Sequence, residues 1–229
     1  MLVFGRNVIE EMLNNHEKIN KVYLQKNFKE EKLISSIQKY NIEIEYKEKY
    51  ELDKLVKGTH QGIIGVVKDY EYCELEDIID EEVIIILDHL EDPHNLGAII
   101  RTAEAAGVKA IIIPKDRSVQ VNSTVFKVSA GAIENIKIAR VTNIVNTMKD
   151  LKKNGYWIYG TDMNQDSFKD CEYSEKMALV IGNEGSGMSR LVKDNCDFII
   201  SIPMKGQINS LNASVAAGIL LFDISLKRK

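Results

Sequence analysis

The stretch GNEGSGMS, residues 182–189, follows directly on the apolar run Met177–Ile181. An apolar strand entering a glycine-rich loop is the layout of a phosphate cradle. Gly182, Gly187 and Ser189 fall in register with the phosphate-loop pattern G-x-x-x-x-G-K-[ST]. Position 188, however, is Met, where that pattern has the lysine that holds a triphosphate. Glu184 adds a negative charge inside the loop. Both features oppose a triphosphate. Glycines at 182, 185 and 187 still let a ligand approach the backbone closely. Two readings stand: a loop for a neutral or cationic ligand, with Glu184 as acceptor or counter-charge, or an ordinary strand-to-helix turn.

Two other stretches share this surplus of polar groups. In DHLEDPHNLGAIIR (88–101), Asn95 is placed to cap a helix that Gly107 would close. Arg101 lies six residues on, about 9 Å along the helix and some 240° around it. The two share a site only if the arginine reaches back toward the helix start; otherwise they are a plain cap and a solvated or paired arginine. His89 and His94 beside Asp88 and Asp92 have the chemistry of metal ligands, but turn chemistry at Asp92-Pro93 accounts for them, and no metal is expected. In IPMKGQINSLNAS (202–214), Gln207, Asn209, Ser210, Asn212 and Ser214 precede an apolar helix. One Ser or Asn suffices to start a helix, so Asn212 alone could be the cap. The surplus suggests a recognition surface of neutral hydrogen-bonding groups. Ala213, Ala216, Ala217 and Gly218 then permit close packing against another backbone.

The elements that must position these loops alternate. Before residue 70 the pattern predicts helices at 5–15 and 29–40 and strands at 21–25, 42–46 and 62–67, a small α/β domain over 1–70. The run 71–82 holds seven acids and no Lys or Arg, and reads as an acidic linker. From 83 to 229 strands are predicted at 83–87, 109–113, 136–141, 156–160, 177–181 and 198–202. Helices fall between them at 95–107, 122–131, 143–153 and 187–194, and a last one covers 212–226. The run Val83–Leu87 is apolar throughout, as in a strand buried on both faces. Alternation of this kind predicts an α/β fold with a mostly parallel sheet. Ligands in such sheets bind beyond the carboxyl ends of the strands, where all three polar stretches lie.

Composition narrows the function less. A chain of 229 residues can bury a real core, and no apolar run approaches the length of a membrane span. The start, MLVFGRNVIEEML, lacks a signal peptide's layout. Cys73, Cys171 and Cys196 are scattered and odd in number, as for reduced thiols, so a cytoplasmic location is expected. The net charge of −4 does not suggest nucleic acid, although the acidic run accounts for it and the remainder is net positive. Residues 1–70 balance twelve Lys or Arg against eleven Asp or Glu, so no footprint shows as a charge excess.

Taken together, the three stretches resemble the SpoU family of RNA ribose 2′-O-methyltransferases. The first motif is matched by Asn95, Gly97 and Arg101; the second by Gly182, Glu184, Gly185 and Gly187. The third is matched by Ile202, Pro203, Met204, Ser210, Leu211, Asn212 and Ser214. GRNVIEEML (5–13) and THQGI (59–63) are similar to the small substrate-binding domain of the longer members, so the likeness covers nearly the whole chain. The resemblance implies a knotted (trefoil) α/β SPOUT domain that works as a homodimer. Its cofactor would be S-adenosyl-L-methionine, bound around Gly182, Glu184, Gly185, Ile202, Met204 and Leu211. Asn95, Arg101, Glu184, Ser210 and Asn212 would serve catalysis, and Arg6 and His60 would touch RNA. The implied substrate is a guanosine in 23S ribosomal RNA. A transfer-RNA enzyme and a non-catalytic RNA-binding or ribosome-assembly protein of the same fold are the alternatives.

Overall fold

The computed structural model describes residues 1–207 and 210–228, and of Asn164 and Gln165 the backbone alone. Asn209, one of the expected polar cluster, lies outside the described residues. The chain divides into two compact units, Met1–Glu71 and Tyr72–Lys229.

The first unit runs β1 (Leu2–Phe4), α1 (Arg6–Asn14), β2 (Ile19–Gln25), α2 (Glu31–Lys39), β3 (Glu43–Lys47), α3 (Lys49–Leu55) and β4 (Ile63–Val67). Its sheet has the order β1-β4-β2-β3, with β4 antiparallel to both neighbours and β2 parallel to β3. Val3, Ile9, Val22, Leu24, Ile37 and Ile63 form its core. The helix α1 lies so close to the sheet that a Cβ on Gly65 would stand 2.7 Å from Ile9 Cδ1. Two elements escape the sequence pattern. The strand β1 is too short for a period, and α3 is started by a capping box between Glu48 and Glu51.

The second unit runs β5 (Val83–Leu87), α4 (Pro93–Ala105), β6 (Ala110–Pro114), α5 (Ser123–Ser129), β7 (Lys137–Val141) and α6 (Ile144–Lys153). It continues with β8 (Trp157–Ser167), β9 (Met177–Ile181), α7 (Arg190–Lys193), β10 (Phe198–Ser201) and α8 (Ala213–Lys227). Six strands form one sheet in the order β10-β8-β9-β5-β6-β7, every pair parallel. All five residues of β6 and of β9 are buried, as the unbroken apolar runs require. Ile84, Ile112, Met148, Leu151, Ile158 and Val180 are among the core residues on one face.

The acidic stretch expected to be a linker is instead built into this unit from Tyr72 onward. Cys73 pairs with Ala139 beside β7, and its N–H donates to Ile138 O at 3.0 Å. Tyr72 Oη accepts from Val121 N at 2.8 Å, and the Arg140 guanidinium lies 4.0 Å from the Tyr72 ring. A 3-10 turn at Leu75–Ile78 drops Ile78 into the core, fully buried. The acidic side chains hid a strap whose anchors are the few apolar residues between them.

Candidate active site

The strand order reverses beside β5: β6 and β7 follow on one side, and β9, β8 and β10 fill the other. A crevice opens at such a switch point. β5 and β9 end level, with Leu87 opposite Ile181, so the loops starting at Asp88 and Gly182 leave side by side. Asp88 N–H donates to Ile181 O at 2.9 Å, continuing the ladder one step.

Asp88 joins the two loops. It is 1% exposed, and a carboxylate buried so deeply needs partners. Its Oδ2 accepts from Ser189 N at 2.6 Å, and its Oδ1 lies 2.6 Å from His89 Nδ1. His89 takes a left-handed backbone (φ 58), and its carbonyl accepts from Asn183 Nδ2 at 2.9 Å. His89 and Asp88 thus serve a loop junction. Among the described residues no three His, Cys, Asp or Glu side chains are grouped to hold a metal.

The loop after β9 is closed on itself. Asn183 and Gly187 exchange both backbone hydrogen bonds, at 3.0 and 2.9 Å. Asn183 Oδ1 accepts from Gly185 N at 2.9 Å and Ser186 N at 3.2 Å. The amides of 183, 185, 186, 187 and 189 are therefore all engaged within the protein. A phosphate loop needs those donors turned outward. Met188, in the lysine's place, packs against the core, and a Cβ on Gly160 would stand 2.8 Å from its Cε. The same imaginary Cβ would lie 2.7 Å from Cys196 Sγ, whose thiol burial pushes up to about 12. Gly182 is forced by close approach, because a Cβ there would come within 2.3 Å of the Gly187 and Met188 backbone.

Glu184 is what this loop presents outward. Its Oε1 accepts from Asn95 Nδ2 at 2.8 Å, so two expected site residues 89 positions apart meet at the carboxyl ends of β5 and β9. Asn95 does not cap α4, contrary to expectation. Asp92 does, accepting from His94 N at 2.8 Å, with Pro93 opening the helix. Asn95 is thereby moved into the first turn, buried and facing Glu184. A Cβ on Gly97 would stand 2.7 Å from Val128 Cβ, so that glycine brings α4 against α5. Arg101 is exposed further along α4, and its side chain has no ion pair or hydrogen bond among the described residues. The structure joins Asn95 to Glu184 and leaves Arg101 outside that pair.

At the end of β10, Ile202 is half-buried, whereas Met204 and Leu211 expose 38% and 37% of their surface, apolar area open to a flat ring. Ser210 is exposed without a partner among the described residues. Asn212 is the cap of α8: its Oδ1 accepts from Ser214 N at 2.9 Å and from Ser214 Oγ at 2.6 Å. The sequence reading missed Asn183 and Asp88 as organisers of the site. An asparagine two before a loop glycine is the signature of a side chain accepting from the backbone two residues on, and could have pointed to Asn183.

In the first unit, Arg6 and His60 line one cleft of about 410 Å³. His60 is 5% exposed, with Nε2 2.8 Å from Asp53 Oδ1 and Nδ1 accepting from Gly62 N at 3.0 Å. It holds the wall of the cleft rather than facing out.

The saturated amides of this loop set the site apart from a nucleotide-phosphate cradle. The chain belongs to the SpoU rRNA Methylase family, whose pattern matches residues 82–222; that of the RNA 2′-O ribose methyltransferase substrate-binding domain matches residues 2–73. It is 44% identical to a Bacillus subtilis protein assigned to the TrmH family of tRNA/rRNA methyltransferases, over 99% of this chain and 95% of that one. The fold is similar to the SpoU methyltransferase AviRb from Streptomyces viridochromogenes in complex with AdoMet (TM-score 0.76, 24% identity, 100% of this chain and 90% of that one). It is similar also to an AdoMet-bound rRNA methyltransferase from Sinorhizobium meliloti (TM-score 0.74, 25% identity, 100% and 87%). An A. aeolicus TrmH/SpoU tRNA modifying enzyme matches 65% of this chain and 76% of its own length (TM-score 0.59, 29% identity).

Proposed function

We propose that the chain transfers a methyl group from S-adenosyl-L-methionine to a ribose 2′-hydroxyl of RNA, and that its substrate is a guanosine of 23S ribosomal RNA. The observation that carries the reading is the inward-turned loop 182–189. It withholds its amides from phosphate and offers a carboxylate, Glu184, held by Asn95. That suits a cationic sulfonium compound. Gly182 lets the loop fold tightly on itself, Gly185 leaves backbone open to approach, and Ile202, Met204 and Leu211 give apolar surface for the adenine. When bound, the cofactor supplies the electrophilic methyl.

The chain's own residues must place the hydroxyl and manage its proton. Alignment of this kind is worth up to about 7–11 kcal/mol in favourable intramolecular cases. Arg101, exposed and unpaired among the described residues, is suited to clamp the phosphate beside the reacting ribose. A guanidinium stays protonated, so it stabilises charge rather than removing a proton. Asn95 orients Glu184; in this reading Ser210 and the side-chain N–H of Asn212 orient ribose and cofactor.

A homodimer is part of the proposal. Val215, Ile219, Phe222 and Leu226 make an exposed apolar stripe along α8, and Gly218 on the same helix packs toward Thr102 of α4. The ribosomal substrate is favoured by coverage. The relative described as a tRNA enzyme matches 65% of this chain, whereas the one described as an rRNA enzyme matches all of it. The match of residues 2–73 to a substrate-binding domain supports that reading.

The test pairs calorimetry with mapping of ribose methylation in ribosomal and transfer RNA. Arg101→Ala is expected to lower turnover by at least about 100-fold while cofactor affinity changes less than about twofold. Normal methylation by that variant removes Arg101 from the mechanism. A wild-type protein that ignores the cofactor overturns the whole reading.

A further inference from the structure

The cleft of the first unit combines a fixed planar cation with a set of idle hydrogen-bonding groups. Arg6 is fastened on three sides. Its backbone N–H donates to Gln61 Oε1 at 2.8 Å, its Nε donates to Gln61 O at 3.2 Å, and its Nη1 pairs with Glu30 Oε1 at 2.6 Å. The guanidinium sits 5.3 Å from the Phe28 ring centre, yet the side chain remains 43% exposed. Gln61 holds this arrangement from a left-handed backbone (φ 53), followed by Gly62 (φ 83). Four other groups lining the cleft have no protein partner among the described residues: the side-chain amides of Gln25 and Asn27, the Thr59 hydroxyl and the Lys49 ammonium. The volume of about 410 Å³ lies at the small end of the roughly 300–1,000 Å³ of ligand sites.

We infer that this cleft seats one unpaired nucleotide of the RNA substrate, its base stacked on the Arg6 guanidinium and its edge met by Gln25 and Asn27, with Lys49 at the phosphate. The inference rests on the RNA-methylation reading and gives its substrate-binding unit a specific recognition site. Neutral amides suit a base edge, with its mixed donors and acceptors, better than a bare phosphate. A guanidinium plane is a stacking platform for a base splayed out of a single strand or loop. The cleft contains a single ammonium that is unpaired among the described residues, which matches one backbone phosphate.

The experiment measures binding of short homopolymeric RNAs of A, C, G and U, a matched duplex, and free nucleoside monophosphates to the full-length chain. Cofactor calorimetry runs alongside on the same preparations. Single strands should bind more tightly than duplex, and one base more tightly than the rest. Arg6→Ala should weaken single-strand binding about tenfold, and Arg6→Lys should not restore it, because an ammonium has no plane. Asn27→Ala should flatten the base preference; Lys49→Ala should weaken all sequences alike and reduce the salt slope by about one. Asn27 and Lys49 are exposed, so these two variants test the site even if Arg6→Ala destabilises the unit. Cofactor affinity should stay constant throughout. Wild-type RNA binding in the Asn27 and Lys49 variants, equal binding of duplex, or monophosphates binding as tightly as the strands would each overturn the inference. Loss of cofactor binding by the wild type would instead strike the methylation reading.

Discussion

The loops after β9 and after β10 follow strands of one sheet that β8 separates, and they are built on opposite plans. The first is fixed before any ligand arrives: Asn183 gathers the amides of 185, 186 and 187, and Asp88 holds Ser189. In the second, the described residues of 202–211 make no hydrogen bond to one another or to other described residues, and Met204, Ser210 and Leu211 are exposed. One loop is fixed by the protein's own bonds and the other is not. On the proposed reading, groups already bonded within the protein order nothing further when a ligand arrives, whereas exposed, unbonded groups bear that entropy cost.

This contrast can be broken most severely at Gly182. Gly182→Ala puts a methyl onto the Gly187–Met188 backbone, which cannot swing aside as a side chain does. Calorimetry should show cofactor affinity reduced by more than about 100-fold, and thermal unfolding should move down by the ~1–3 kcal/mol usual for overpacking. Retained affinity would show that the loop is less rigid than its hydrogen bonds imply. Asn183→Ala is the milder break. It frees two amides and the tie to His89, and should cost ~1–2 kcal/mol of stability and about tenfold in cofactor affinity. The smallest effect sharpens the comparison instead. On adding S-adenosyl-L-methionine, amide exchange should slow at 204–207 and 210–212 and change little at 185–187. Equal slowing of both loops would cancel the distinction.

Most of the fold was legible because buried parallel strands announce themselves. The run Met177–Ile181 is apolar at every position and forms a strand over those same residues. The last helix was visible too, since its start carries Asn and Ser and its body is apolar. Boundaries slipped where two capping residues competed: Asp92-Pro93 outranked Asn95, moving α4 forward by two residues. That small shift matters, because it turns Asn95 from a cap into the partner of Glu184. The pair itself could not be read from spacing, since contact between residues 95 and 184 depends on β5 and β9 lying side by side. The role of Asp88 was hidden for a different reason. Its neighbours suggested metal or turn chemistry, and its partner Ser189 lies 101 residues away.

The segment around Cys73 runs parallel to β7 at the margin of the large sheet, where β7 has no other strand outside it among those described. An open strand margin invites pairing with foreign chains, and charged cover is a common defence. Charge sits on this margin too, where Glu81 pairs with Lys137 of β7 at 3.1 Å, so the strap serves as a fender as well. Anyone dissecting the catalytic half should cut ahead of Tyr72. A fragment begun at Val83 would bare that margin and lose the Ile78 plug, and sticky, poorly folded material is the expected product.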